Sequence, residues 1–529
     1  MDNRRVYIFD STLRDGAQAR GISFSLSDKL NMLKLLDSLG IDYIEAGNPA
    51  SNPKEKAFFE KAKDVELRYA KLTAFGSTRR KNSKIEEDPG IQALLSADTE
   101  TVAIFGKSWD LHVTHVLQTT LEENLSMVKD TLSFFKEKGK EVIFDAEHFF
   151  DGYKANPDYA MRVLEAAEQG GADCLVLCDT NGGTLTHETE EIVKAVIKNT
   201  KTMVGIHAHN DSETAVSNSI AAVLHGARHV QGTLIGFGER CGNARLTSII
   251  PNLQLKMGYR CIPEDKMILL SSVAREAAEI SNAALDEKLP YIGQDAFAHK
   301  GGMHIDGVRK VKESFEHIKP EWVGNKRNFL ISEVAGRSAL VLKLQHRFPE
   351  LVEDKEALQK ITDKLKDLEQ EGYSFEGAES SFELMVLKEL GRHKPSFTLE
   401  HFKVIDEHSG GEKEQFASYA VVKVKVDGTN RMAAAEGNGP VNALDKALRE
   451  ALVEFYPELK KIVLQDYKVR VLDTKMGTEA VVRVVIETKD EEHMWTTLGV
   501  STDVIEASLI ALIDSIEYKL WEVKSKKER

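Results

Sequence analysis

Eight short apolar runs, each rich in β-forming residues and each followed by an amphipathic stretch, fill the first 255 or so residues. They are Val6–Thr12, Tyr43–Gly47, Lys71–Gly76, Thr101–Gly106, Glu141–His148, Cys174–Thr180, Met203–Asn210 and His229–Gly236. Unbroken apolar runs of this length read as strands buried on both faces, the environment of parallel strands. The stretches between them have helical spacing; Ser27–Leu39 sets Leu30, Leu33 and Leu36 three apart. Eight such units predict an α/β chain that closes into a (β/α)8 TIM barrel. A doubly wound sheet needs fewer strands and usually opens on a glycine-rich dinucleotide loop. The first loop here, STLRDGAQAR, contains no GxGxxG.

The chain has 529 residues, too many for one ordinary core. We read 1–270 as the barrel, 271–395 as a helical linker subdomain and 396–529 as a separate α+β domain. Helical apolar spacing marks Leu340–His346 and Lys355–Gln370, and the polar patch AFAHKGGMHIDG (296–307) interrupts the helical region. In the tail, alternating segments Ala417–Val426 and Tyr467–Thr488 each precede a helical stretch, Val441–Tyr456 and Ser501–Trp521. That order reads as a duplicated unit.

A formal net charge of −14 argues against a large nucleic-acid or acidic-membrane surface. No apolar run reaches the roughly 18 residues that span a bilayer. With no signal peptide and four scattered cysteines, we expect a cytoplasmic protein. Cys174 and Cys178 fall inside an apolar run and read as core; the loop position of Cys241 invites a catalytic reading, but a packed small residue is the expectation.

In a barrel, functional groups belong at the C-terminal ends of strands. Run seven ends GIHAHND, so His207 and His209 point to one side. Run one ends FDSTLRDG, bringing Asp15 to the same rim beside Arg14. A carboxylate with two imidazoles suits a divalent metal (Mn, Mg, Co or Zn) and leaves room for a chelating substrate. Arg14, a permanent cation beside that site, suits an oxyanion or enolate. Run eight leads into GFGERCGNA, where Asn243 offers an oxygen ligand; runs five and six bring Glu147 and Thr180 to the rim. Read singly, each has a structural alternative: a salt bridge for Arg14, a cap or turn role for Glu147 and Thr180, a plain turn for the loop of Asn243.

Together the motifs DSTLRDGAQARG (10–21), GIHAHND (205–211), GFGERCGNA (236–244) and FAHKGGMHIDG (297–307) resemble, in order, the acyltransferase branch of the DRE-TIM metallolyases. This branch contains the isopropylmalate, homocitrate and citramalate synthases. The resemblance runs through the tail, which is similar to that family's amino-acid-sensing domain. It implies metal ligation by Asp15, His207 and His209 with Asn243 nearby. It also implies catalytic roles for Arg14 and Glu147, keto-acid binding by Arg14 and Thr180, and a catalytic His304 supplied from the partner subunit of a homodimer. Glu45 in YIEAG is the candidate for the family's named glutamate. One departure is Phe315, where the family usually has tyrosine. The implied reaction is a Claisen-type condensation of acetyl-CoA with a keto acid. GSTRRK (76–81) and FGKSWDLHV (105–113) are similar to the citramalate members, which implies pyruvate as partner substrate and isoleucine as feedback inhibitor. Phe75 and Phe105 would then shrink the pocket to fit a methyl group. Ketoisovalerate and 2-oxoglutarate stay open, the latter with Lys107 or Arg79 as the extra cation.

Overall fold

The computed structural model describes residues 4–329, 344, 347–352, 354–375, 377–409, 415–472, 480–490 and 493–528. The expected helix Leu340–His346 lies almost wholly outside the described residues. The chain packs as two units. One runs through Phe297 and takes in His317–Arg327; the other holds Ala298–Glu316 and the chain from Asn328 onward. The segment 271–395 is therefore shared between the two.

The first unit is a closed barrel of eight parallel strands in sequence order. They are β1 (Tyr7–Asp10), β2 (Tyr43–Glu45), β3 (Lys71–Ser77), β4 (Thr101–Lys107), β5 (Glu141–Glu147), β6 (Cys174–Asp179), β7 (Met203–Ala208) and β8 (His229–Gly232). Each falls inside one of the eight apolar runs, because strands walled by helices outside and side chains inside must be apolar on both faces. Outward residues such as Ile8, Ile44, Val102 and Ile206 join the main core against the helices. Inward residues form a separate cluster of Phe9, Tyr43, Ala103, Ile143, Cys174 and Val176 that plugs the barrel. Helix Leu26–Leu39 shows how local chemistry sets the boundaries. Ser25 and Asp28 form a reciprocal capping box at its start. Gly40 ends it at φ 88°, where a Cβ would also strike the Pro263 ring.

The patch 296–307 is only partly irregular: helix Gly302–Lys310, in the second unit, begins inside it. The tail is duplicated as expected, but each copy has three antiparallel strands where the alternation marked fewer. The first copy is Thr398–Ser409, Gln415–Val426 and Thr429–Gly437, followed by helix Pro440–Leu452. The second is Val463–Val471, Val482–Lys489 and Met494–Ser501, followed by helix Val504–Glu528. Residues 398–409 and 429–437 carry little apolar alternation because one face of that sheet is open to solvent. Among the described residues no helix is long and apolar enough to cross a membrane.

A candidate metal and keto-acid site at the barrel mouth

The ends of β1 and β7 meet as the sequence predicts. His207 Nε2 lies 3.4 Å and His209 Nε2 3.8 Å from Asp15 Oδ2, and the two Nε2 atoms are 3.3 Å apart. Among the described residues these are the one group of three His, Cys, Asp or Glu side chains that bring ligand atoms within 4.8 Å of one another. All three are buried. Asn243 joins them through a short antiparallel bridge with His209. The turn that delivers it needs Gly242 at φ 88°, where a Cβ would lie 2.1 Å from Gly236 O.

The donor set fits a cation. Asp15 Oδ1 and both amide atoms of Asn243 are buried without a protein partner, a condition that folded proteins avoid unless something else satisfies it. Burial opposes ionisation of Asp15, but the Arg14 guanidinium and the His207 hydrogen bond outweigh it and hold the carboxyl well below the usual carboxylate range. Burial, and then His207, push His209 down to about 3, so it is neutral as a ligand must be.

Arg14 is clamped beside this set. Its Nε donates to Glu45 Oε2 at 2.6 Å, its Nη1 to Asp15 Oδ2 at 3.1 Å, and its guanidinium carbon lies 4.0 Å from the centre of the Phe75 ring. Phe75 stacks on Phe105 with ring centres 5.1 Å apart. Arg14, Glu147, Thr180 and His207 line one cavity of about 260 Å³ with these two rings. Glu147 pairs with Lys107. Thr180 Oγ1 accepts from the His148 backbone N–H at 2.9 Å, and its carbonyl accepts from Arg240, which also grips Asp211.

His304 belongs to the other unit, on helix Gly302–Lys310, exposed and with its ring stacked on Phe315 at 4.3 Å. Cys241 is exposed, against the expectation of a packed residue, since its loop turns the side chain to solvent. Two residues escaped the sequence reading. Asp145 lines the cavity, and Gln231 on β8 bridges it to His207. Alternation along β5 puts Asp145 on the same side as Glu147, a signal that was present in the sequence; Gln231 becomes visible only once β7 and β8 are in register, opposite His207.

Comparison with known proteins gives the family. The HMGL-like family model matches residues 5–268. The chain is 55% identical over 519 residues to the (R)-citramalate synthase of Aquifex aeolicus, covering 98% of each chain. The chain belongs to the (R)-citramalate synthase family. It is 48% identical to the family's member from Geobacter sulfurreducens, over 97% of each chain. Identity falls to 31% with a probable 2-isopropylmalate synthase from Methanopyrus kandleri, over 97% of this chain and 98% of that one. The later parts of the chain match the homocitrate synthase post-HMGL domain-like model at 291–373 and the LeuA allosteric (dimerisation) domain at 376–520.

Proposed function

We propose that this chain condenses acetyl-CoA with pyruvate to give (R)-citramalate and free CoA. The cavity carries the reading: a chelating Asp15–His207–His209 set and a clamped guanidinium stand over a wall closed by the Phe75–Phe105 stack. A keto acid with a small side chain suits that wall. A 2-oxoglutarate side chain brings a second carboxylate, yet both cations the sequence offered for it are committed. Arg79 bonds Asp130 and Glu123, and Lys107 pairs with Glu147.

A divalent ion (Mn, Mg, Co or Zn) held by Asp15, His207 and His209, with Asn243 adjacent, supplies Lewis acidity to a bound 2-oxo acid. Arg14 faces the oxygen that gains charge as the new C–C bond forms. Burial opposes its charge, but Glu45 and Asp15 outweigh burial and keep it a cation, so it stabilises the developing alkoxide. The Thr180 hydroxyl accepts from His148, which leaves its own proton to donate to the keto-acid carboxylate. A base takes a proton from the acetyl methyl, the carbanion attacks the keto carbon, and the keto oxygen takes up a proton. Water then cleaves the thioester, releasing CoA. Glu147, on the cavity wall, and His304 are the two candidates for the base. His304 would reach the site from the partner subunit of a cytoplasmic homodimer, consistent with the dimerisation domain matched in the tail.

Isoleucine binds the tail as feedback inhibitor. The turn at Asn438 and Gly439 leads into helix Pro440–Leu452, whose N-terminal amides suit a carboxylate. In the second copy the strand Met494–Ser501 takes up Thr496–Val500, so the corresponding junction before the helix is Thr502 and Asp503.

CoA release assayed with a panel of keto acids tests the reading. Pyruvate should give the highest kcat/KM. Ketoisovalerate carries two more methyl groups than pyruvate, each worth about 1–3 kcal/mol of discrimination, so only slow turnover of it is expected; a higher kcat/KM for ketoisovalerate would overturn the assignment in favour of a 2-isopropylmalate synthase.

A further inference from the structure

Gln231 is fully buried inside the barrel, in register between Phe9 of β1 and His207 of β7. Its Oε1 lies 2.9 Å from His207 Nδ1, and its Nε2 donates to Asp145 Oδ1 at 2.9 Å. Burying an amide is costly unless both ends are bonded. Neither end is used to pair the strands, which is done by backbone, and an apolar side chain would plug the barrel as its neighbours do. The amide is spent instead on joining a ligand imidazole to a carboxyl on the cavity wall.

The direction of this chain follows from donor and acceptor chemistry. Asp145 Oδ1 accepts whether or not its other oxygen carries a proton, so the NH2 end of Gln231 faces it. The carbonyl end then faces His207. A carbonyl only accepts, so His207 Nδ1 must carry a hydrogen. In neutral His207 the remaining lone pair is on Nε2, the atom aimed at Asp15 and His209.

We propose that Gln231, oriented by Asp145, is a positioning residue that fixes His207 in the tautomer able to ligate a divalent ion through Nε2. The proposal rests on the metal reading above. It adds a residue on β8 to a site otherwise built from the ends of β1 and β7 and the loop of Asn243. Ligand imidazoles commonly donate their second nitrogen to a fixed acceptor, and loss of that acceptor typically weakens metal binding about 10–100-fold.

The test is Mn2+ binding to the full-length, chelator-treated protein, followed by calorimetric titration without substrate. Gln231→Met keeps the side-chain volume and removes both polar ends, and should weaken Mn2+ binding about 10–100-fold. Gln231→Glu combined with Asp145→Asn keeps an acceptor opposite His207 Nδ1 and an orienting hydrogen bond between the two side chains, and should restore most of the affinity. Circular dichroism checks the fold. Should Gln231→Met fail to fold, Asp145→Ala leaves Gln231 in place but without its orienting partner, and should weaken Mn2+ binding in the same direction. A folded Gln231→Met protein that binds Mn2+ as tightly as wild type overturns the positioning role while leaving the metal site standing. A wild-type protein that binds no Mn2+ removes the metal reading, and this proposal with it.

Discussion

Arg14 holds its guanidinium carbon 4.0 Å from the ring centre of Phe75, a cation laid on an aromatic face at the wall of the cavity. Its Nε is spent on Glu45 and its Nη1 on Asp15, so the group has one orientation. A lysine has one compact ammonium and cannot reproduce the stack and both bonds. Arg14→Lys should therefore lower kcat about 10²–10³-fold, the usual scale for losing an oxyanion donor, with little change in KM for pyruvate. Steady-state kinetics with pyruvate varied at saturating acetyl-CoA reads both constants.

The barrel was legible because the physics that makes it leaves a plain trace. Strands apolar on both faces stand out from amphipathic helices, and all eight runs became strands. The ligand set was legible for a similar reason: His207 and His209 are two apart on a strand, so they share a side. What was hidden depends on pairs distant in the chain. Lys107 and Arg79 looked equally available, and only the fold shows one bound to Glu147 and the other to Asp130 and Glu123. Gln231 reads as an ordinary strand residue until register sets it opposite His207. In the first tail sheet the central strand is legible as the alternating segment Ala417–Val426, but its neighbours are not: with one side facing solvent, segments such as Thr429–Gly437 carry too few apolar residues to mark a strand.

Shared active sites give the next expectation. If His304 completes the partner's barrel mouth, Arg14→Ala and His304→Ala subunits mixed under conditions of exchange form one intact site per hybrid dimer. Part of the wild-type activity should return, up to about a quarter if pairing is random. No recovery with exchange confirmed by mass spectrometry would count against shared sites.

His229 makes the barrel sensitive to acid. Its ring is fully buried against Phe9 and Tyr43, neither nitrogen has a protein partner, and burial pushes it down to about 3 from an ordinary 6.5. Between those values the unfolded chain binds a proton that the folded chain does not. The stability is thus present above 6.5 and drains away as pH falls toward 3, by about 1.4 kcal/mol per pH unit. His229→Leu should lack this loss. Thermal midpoints of the two proteins, compared from pH 7 to pH 4, should converge or cross as pH falls; a constant gap would show that His229 contributes nothing to the acid sensitivity.

The regulatory reading predicts heat on titrating isoleucine into the full-length protein, and inhibition of turnover at concentrations where leucine is weaker. Gly437 precedes the proposed carboxylate turn, and a Cβ there would lie 2.4 Å from the Ala443 backbone nitrogen. Gly437→Ala should push that helix start aside and relieve isoleucine inhibition while uninhibited turnover stays near wild type. Inhibition by leucine with no response to isoleucine would contradict the reading.

The central claim is a divalent ion at Asp15, His207 and His209 that makes the condensation possible. It is tested most directly by following pyruvate-dependent CoA release in protein stripped with chelator and then reloaded with Mn2+. The expected result is loss of turnover on stripping, recovery on reloading, and no recovery in a folded His207→Ala protein. Undiminished turnover in stripped His207→Ala protein, with residual metal excluded by elemental analysis, would contradict it.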